Sequence, residues 1–248
     1  SELGLNDILE NIEKAKTDDN IKGIFLNLST TATGFGILEE IRNKLLEFKE
    51  TGKFVVAYGE VMTQKAYYIA SVADEIYLNP KGVIALQGFS AELTFFKNAL
   101  DRLGIEPEVF YAGNFKSATE PFRYNKMSDY NRLQIRELLN GVYGSFVAQV
   151  APARKMTEAQ LSDIINNLKI QNADDAKQYG IVTDLYYIDQ LYDNLRNKLG
   201  LDEDDKINMV SAGKYNNAPD KRKKDFKKNK VAVIYAEGDI VDGKGDEN

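Results

Sequence analysis

Stretches with helical and strand-like patterning alternate along this chain, joined by links of a few residues. That alternation limits the fold more than any other feature. Leu5, Ile8, Leu9, Ile12 and Ala15 recur at helical spacing. Residues 21–28 then read as a buried strand and 29–34 as a turn of small residues. Ile37, Leu38, Ile41, Leu45 and Phe48 line one face of a second helix. Thr51 and Gly52 end it, and 53–58 is the next strand. A third helical piece closes over 67–71, before a strand at 75–78 and a turn at Asn79 and Pro80. A helix over about 93–103 leads to a strand-like stretch at 108–111. Short links cannot connect parallel strands unless a helix makes the crossover, so the pattern predicts a mainly parallel sheet flanked by helices, with right-handed crossovers. The chain is expected to be α/β.

The second half reads as mostly helical. A long helix follows Met127 and Ser128 and runs to about Val150, where Pro152 is expected to end it. Helical fragments cover 157–166 and 174–179, a short strand 181–184, and Ile188, Leu191, Leu195 and Leu199 form one more stripe. From Asp202 the composition turns polar. Residues 221–230 carry seven basic side chains in ten, a solvated linker rather than a nucleic-acid or membrane patch, and 231–241 reads as a strong strand. The expected organisation is a first unit over 1–200, a connector over 201–229 and the opening strand of a second unit over 230–248.

Two absences narrow the chemistry. The chain has no cysteine and no histidine, which excludes disulfides, thiolate chemistry, histidine-ligated zinc and a Ser-His-Asp triad. Acid–base work must fall to lysine, tyrosine or a carboxylate. A net charge of −6 argues against general nucleic-acid binding. No apolar run reaches the roughly 18 residues that a membrane span needs, and no signal-peptide pattern is present. Asp202, Glu203, Asp204 and Asp205 are consecutive acids without the Asp-x-Asp-x-Asp-Gly pattern, so they read as a solvated loop. No metal site and no cofactor is expected.

The stretch 111–122, Tyr-Ala-Gly-Asn-Phe-Lys-Ser-Ala-Thr-Glu-Pro-Phe, is the candidate site. Lys116 lies between Phe115 and Ser117, just past the turn residues Gly113 and Asn114. From the local sequence alone it reads first as a wet surface charge and only second as a partly buried base. A free lysine has a pKa of about 10.4, so a lysine base near pH 7 needs a drop of about three, roughly 4 kcal/mol of bias toward the neutral form. Desolvation supplies such a bias in a dry site, and Phe110, Phe115 and Phe122 are the expected source of dryness. Ser117 is placed either as a hydrogen-bonding support for the lysine or as a helix N-cap, with Glu120 completing a capping box. A carboxylate beside the ammonium would oppose the base, so Glu120 is read as structural.

With 115–122 in view, and Met127 and Ser128 downstream, the chain resembles the signal peptide peptidase A (protease IV) family of serine peptidases, from about Leu5 to Asp246. The resemblance implies two repeats of a crotonase-like, Clp-protease-like α/β fold. It also implies that Lys116, in the Lys-Ser-Ala-x-Glu-Pro-Phe motif, is the general base of a serine–lysine dyad. The family's nucleophile lies in an Asn-Ser-Pro-Gly-Gly-Ser loop of the second repeat. Here the equivalent first-repeat loop, 29–34, has Thr30 at the serine's position and no Pro-Gly-Gly, so Ser29 and Thr30 are read as a degenerate copy. The nucleophile is expected beyond Asn248 and the chain alone is expected to be inactive. By the same resemblance the substrates are hydrophobic peptides, including leftover signal peptides, and the partners are the protein's own second repeat and further copies in a ring-like homo-oligomer, a tetramer. The parent is expected at the inner membrane facing the periplasm, held by a segment missing before Leu5, with this fragment soluble. Two alternatives from other classes are a crotonase-type acyl-CoA hydratase or isomerase, and a non-catalytic oligomer-assembly domain.

Overall fold

The computed structural model describes residues 3–220. The basic run and the strand expected at 231–241 lie outside the described residues. Four strands, β1 (Gly23–Asn27), β2 (Phe54–Met62), β3 (Glu75–Ile84) and β4 (Asp184–Leu185), form one sheet in the order β1-β2-β3-β4. Every neighbouring pair is parallel, so the α/β expectation holds. The helices α1 (Leu5–Thr17), α2 (Phe35–Lys49) and α3 (Gln64–Ala70) supply the crossovers between β1, β2 and β3 and the segment before β1.

The central strand β2 explains the sidedness. Val55 and Ala57 face a large core shared with α1, α2 and α3, while Val56 and Tyr58 face a smaller cluster. That smaller cluster is closed by Leu191 and Leu195 of α9 (Ile188–Leu199). A strand covered on both faces has no polar side to offer, hence its unbroken apolar run. Tyr67 of α3 is fully buried and donates its hydroxyl to the Ile181 carbonyl at 2.7 Å.

Between α3 and the long helix α6 (Asp129–Ala153) the chain forms α4 (Lys97–Leu103), a 3₁₀ turn at Ser117–Thr119 and α5 (Glu120–Arg123). After α6 come α7 (Glu158–Asn166) and α8 (Ala173–Gln178), then β4 and α9, and finally α10 (Ala212–Asn216). Gln149 of α6 joins three helices: it accepts from Arg42 Nη1 (3.1 Å) and the Tyr68 hydroxyl (2.7 Å), and donates to Glu39 (2.9 Å).

Four local expectations are corrected. Residues 108–111 are not a strand: nearly all of 101–116 is exposed and no ladder partner lies beside it. The strand at 75–78 continues to Ile84, through Asn79 and Pro80. Pairing with β2 breaks between Gly59 and Val61, so Pro80 falls where no ladder bond is required of it. Helix α6 runs past Pro152 to Ala153, the burial of Val150 and Ala151 holding its last turn in place against the proline's cost. Within the polar stretch after Asp202, α10 folds back onto α1. There buried Lys14 donates to the carbonyls of Tyr215 (2.7 Å) and Ala218 (3.1 Å).

Candidate active site

Helix α6 decides where the lysine motif sits. Its last turns are core: Phe146, Val147, Val150 and Ala151 are buried. Its first half projects outward, with Leu133 and Leu138 exposed. At a rise of about 1.5 Å per residue, the start of α6 stands roughly 25–33 Å from that buried end. The 104–126 arm rests on this outer half.

The arm is braced at one residue. Glu120, only 3% exposed, accepts from the backbone N–H of Ser128 (3.1 Å), the Ser128 hydroxyl (2.5 Å) and Asn131 Nδ2 (2.8 Å). Ser128 is in turn the N-cap of α6, its Oγ accepting from Asn131 N–H at 3.1 Å. Burial pushes the Glu120 carboxyl up, but these hydrogen bonds and the nearby Arg123 charge outweigh burial and hold it below its ordinary value. Glu120 is therefore structural, as expected, though through α6 rather than through a capping box with Ser117. Seven residues of connection, not the helix that follows Ser117, were the clue: Ser128 as N-cap with Asn131 three residues on marks where α6 begins.

Further contacts fix the rest of the arm. Phe96 N–H donates to the Pro121 carbonyl at 2.7 Å, and the Phe96 and Phe122 rings stack at 5.9 Å. Arg123 lies over the rings of Tyr111 (3.6 Å) and Tyr124 (4.8 Å), and its Nε donates to Thr119 Oγ1 at 3.1 Å. The turn between them needs a left-handed residue, which Gly113 supplies at φ 89°. Sequence reasoning missed both Asn131 and Arg123, whose contacts with Glu120 and Tyr111 span eleven and twelve residues.

Lys116 is exposed at the head of the 3₁₀ turn. The Ser117 hydroxyl donates to Gln134 Oε1 of α6 at 3.3 Å. The expected source of dryness is corrected: Phe110 is 86%, Phe115 51% and Phe122 43% exposed. Phe115 meets Tyr130 edge to face at 5.2 Å, and neither ring encloses the lysine. Two cavities, one of about 400 Å³ between α2 and α6 and one of about 640 Å³ beside α1 and β1, are lined by other residues. Ser29 and Thr30 are exposed at the end of β1, where the Ser29 carbonyl accepts from Thr63 N–H at 3.2 Å. Asp202 and Asp205 close a local turn, Asp202 N–H donating to Asp205 Oδ2 at 3.0 Å. Among the described residues no acidic cluster has the geometry to hold a metal ion.

The profile of peptidase family S49 matches residues 47–202, more than half of the chain, and covers the whole braced arm. The chain belongs to this family. Among curated relatives of this S49 chain, Protease 4 of Haemophilus influenzae is 34% identical over 97% of the chain and 41% of its own length. The chloroplastic serine protease SPPA of Arabidopsis thaliana is 30% identical over 87% of the chain and 32% of its own length. The chain thus spans well under half of these relatives. A solved structure of the 1510-N membrane-bound stomatin-specific protease aligns with 76% of each chain at 14% identity and a TM-score of 0.47. Among the described residues no helix is long and apolar enough to cross a membrane.

Proposed function

We propose that this S49 chain contributes the base half of a serine–lysine endopeptidase site. In this reading Lys116 is the general base and the nucleophilic serine comes from the second repeat of the complete protein. The reading rests above all on one observation: an exposed lysine standing on an arm that is braced from behind by a buried carboxylate. A surface charge needs no such bracing, whereas a base must be held within hydrogen-bond reach of its partner.

The chemistry follows from the residue types. Neutral Nζ of Lys116 takes the serine hydroxyl proton as the oxygen attacks the peptide carbonyl carbon. The same nitrogen then returns that proton to the departing amine. Water deacylates the serine by the same route. Neutral lysine requires a dry site, and the exposed Phe110, Phe115 and Phe122 suit a surface that a second repeat or another copy covers. The same exposed aromatics support acceptance of extended hydrophobic peptides, signal peptides among them. The accompanying organisation is a first repeat over 1–200, a connector over 201–229 and the opening of a second repeat over 230–248, in a membrane-associated homo-oligomer.

The test is Lys116→Ala in the complete protein, assayed on a fluorogenic hydrophobic peptide. The expected result is a loss of turnover of at least about a hundredfold, the usual worth of a general base, with thermal unfolding unchanged. Cleavage at the normal rate would remove Lys116 from the mechanism. The 248-residue chain alone is expected to cleave nothing.

A further inference from the structure

One stripe of α6 leads away from the lysine arm. Gln134 accepts from the hydroxyl of Ser117, the residue after Lys116, at 3.3 Å. Leu138 follows on that face, then Gly141 and Val142, then Ser145 and Phe146. Residues three and four apart share a helix face, so the stripe is continuous. From Glu137 to Phe146 it borders the cavity of about 400 Å³, whose other sides come from α2 and α3. At about 1.5 Å per residue, the cavity opens ~5 Å beyond Gln134 and ends ~18 Å beyond it.

The walls of this cavity are apolar and its charge is of one sign. Phe35 of α2, Tyr68 of α3, and Leu138 and Phe146 of α6 make the walls. Phe35 meets Tyr68 edge to face at 5.6 Å, and the Tyr68 and Phe146 ring centroids are 5.9 Å apart, so the rings hold one another in place. Glu39 and Glu137 stand among them, and no basic side chain lines the cavity. Glu39 is half-buried and is fixed by Gln149 Nε2, which donates to it at 2.9 Å. Buried Arg42 is committed to Gln149, at 3.1 and 2.8 Å, and stays outside the lining. Lys65, 6.0 Å from the Phe35 ring, stays outside it too. Gly141 keeps the space open, since a Cβ added there meets nothing within 4 Å.

An apolar trough with two carboxylates and no cation selects a side chain with an apolar stem and a positive end. Lysine and arginine have that form. An extended peptide advances about 3.3 Å per residue, so one that starts at Lys116 and follows the stripe carries its next side chains over the cavity. We propose that the cavity is a specificity pocket for a basic side chain of the substrate, about two to five residues from the scissile bond. The stem lies on Phe35, Leu138 and Phe146, and the charged end lies between Glu39 and Glu137. The proposal rests on the reading of Lys116 as the base, which fixes where the scissile bond lies. The favoured substrates are then apolar peptides that carry a lysine or arginine close to the cleaved bond.

Cleavage of paired peptides by the complete protein tests it. Fluorogenic apolar peptides carry lysine at each position in turn, or uncharged norleucine at the same place. On one side of the cleaved bond, lysine is expected to raise kcat/KM about fivefold to tenfold over norleucine, the worth of two partly exposed ion pairs. Glu39→Gln combined with Glu137→Gln should bring that ratio to about one, and the glutamine at 39 keeps an acceptor for Gln149. Gly141→Leu fills the cavity without changing charge and should do the same. A ratio near one at every position in the wild type would overturn the proposal, and so would a ratio that survives either change. If Gly141→Leu alters the oligomeric state at an unchanged ratio, the cavity is a contact between copies and not a substrate pocket. Lys116→Ala separates the two readings: a normal rate there refutes the base, whereas the lysine-to-norleucine ratio judges the pocket.

Discussion

Replacing Glu120 by alanine should loosen the lysine arm without touching the lysine. The carboxylate is 3% exposed and accepts three hydrogen bonds, two from Ser128 and one from Asn131. Truncation leaves the Ser128 N–H and Asn131 Nδ2 without their acceptor, at about 1–3 kcal/mol for each buried group. The Ser128 hydroxyl can rotate, and it still caps α6 through its bond from Asn131 N–H. The expected net cost is about 3 kcal/mol, below the simple sum because removing a buried carboxylate also removes its desolvation penalty. For a chain of this size that lowers Tm by roughly 6–12 °C. Glu120→Gln keeps one acceptor and should cost about half as much.

The dependence on pH has a definite sign. The Glu120 carboxyl lies below its ordinary value in the folded chain. Its contribution is therefore complete above the unfolded pKa of about 4.3 and is lost as pH falls through the lower folded value. The stability gap between wild type and Glu120→Ala should be full near neutrality and should narrow below about pH 4. Thermal melts followed by circular dichroism across that range measure it. A Tm loss under about 2 °C at neutral pH would refute the bracing argument, since a buried acceptor of three bonds cannot be removed that cheaply. A gap that stayed constant down to low pH would refute the charge-based part of it.

Other substitutions test the frame around the arm. Lys14→Met removes the donor that holds the Tyr215 and Ala218 carbonyls; about 2 kcal/mol should be lost, and trypsin should cut at Lys214 faster than in the wild type. In Gly59→Ala the new Cβ would stand 2.5 Å from the Leu28 carbonyl oxygen, forcing β1 from β2 at a cost of about 1–3 kcal/mol in urea unfolding. Tyr67→Phe loses the buried bond to the Ile181 carbonyl and should cost about 1–3 kcal/mol, because that carbonyl is left without its donor; a neutral result would mean that another donor replaces it.

Much of the fold was legible because its signals are local. The stripe Ile8, Ile12 and Ala15 marked α1, and the apolar run around Val55–Tyr58 marked a strand buried on both faces; both rest on periodicities that a chain carries in its own order. The absence of histidine and cysteine by itself restricts the acid–base chemistry to lysine, tyrosine and carboxylates. The motif around Lys116 pointed to the family, and residues 47–202 match it.

What the sequence left open depends on contacts between distant residues. Residues 108–111 have strand-like composition but no neighbouring strand, and a strand exists only through its ladder. Phe110, Phe115 and Phe122 have the hydrophobicity of core residues, yet they stand on the arm that rests on the projecting half of α6, and all three stay exposed among the described residues. Glu120 could have faced Lys116 or turned away from it, and only the placement of Ser128 and Asn131 at the start of α6 decided that it turns away. By itself the sequence determined which residues could do chemistry and the class of fold that carries them. The tertiary structure alone decided which side chains are dry, which are braced and which stay exposed, because burial is a property of how elements pack and not of their order along the chain.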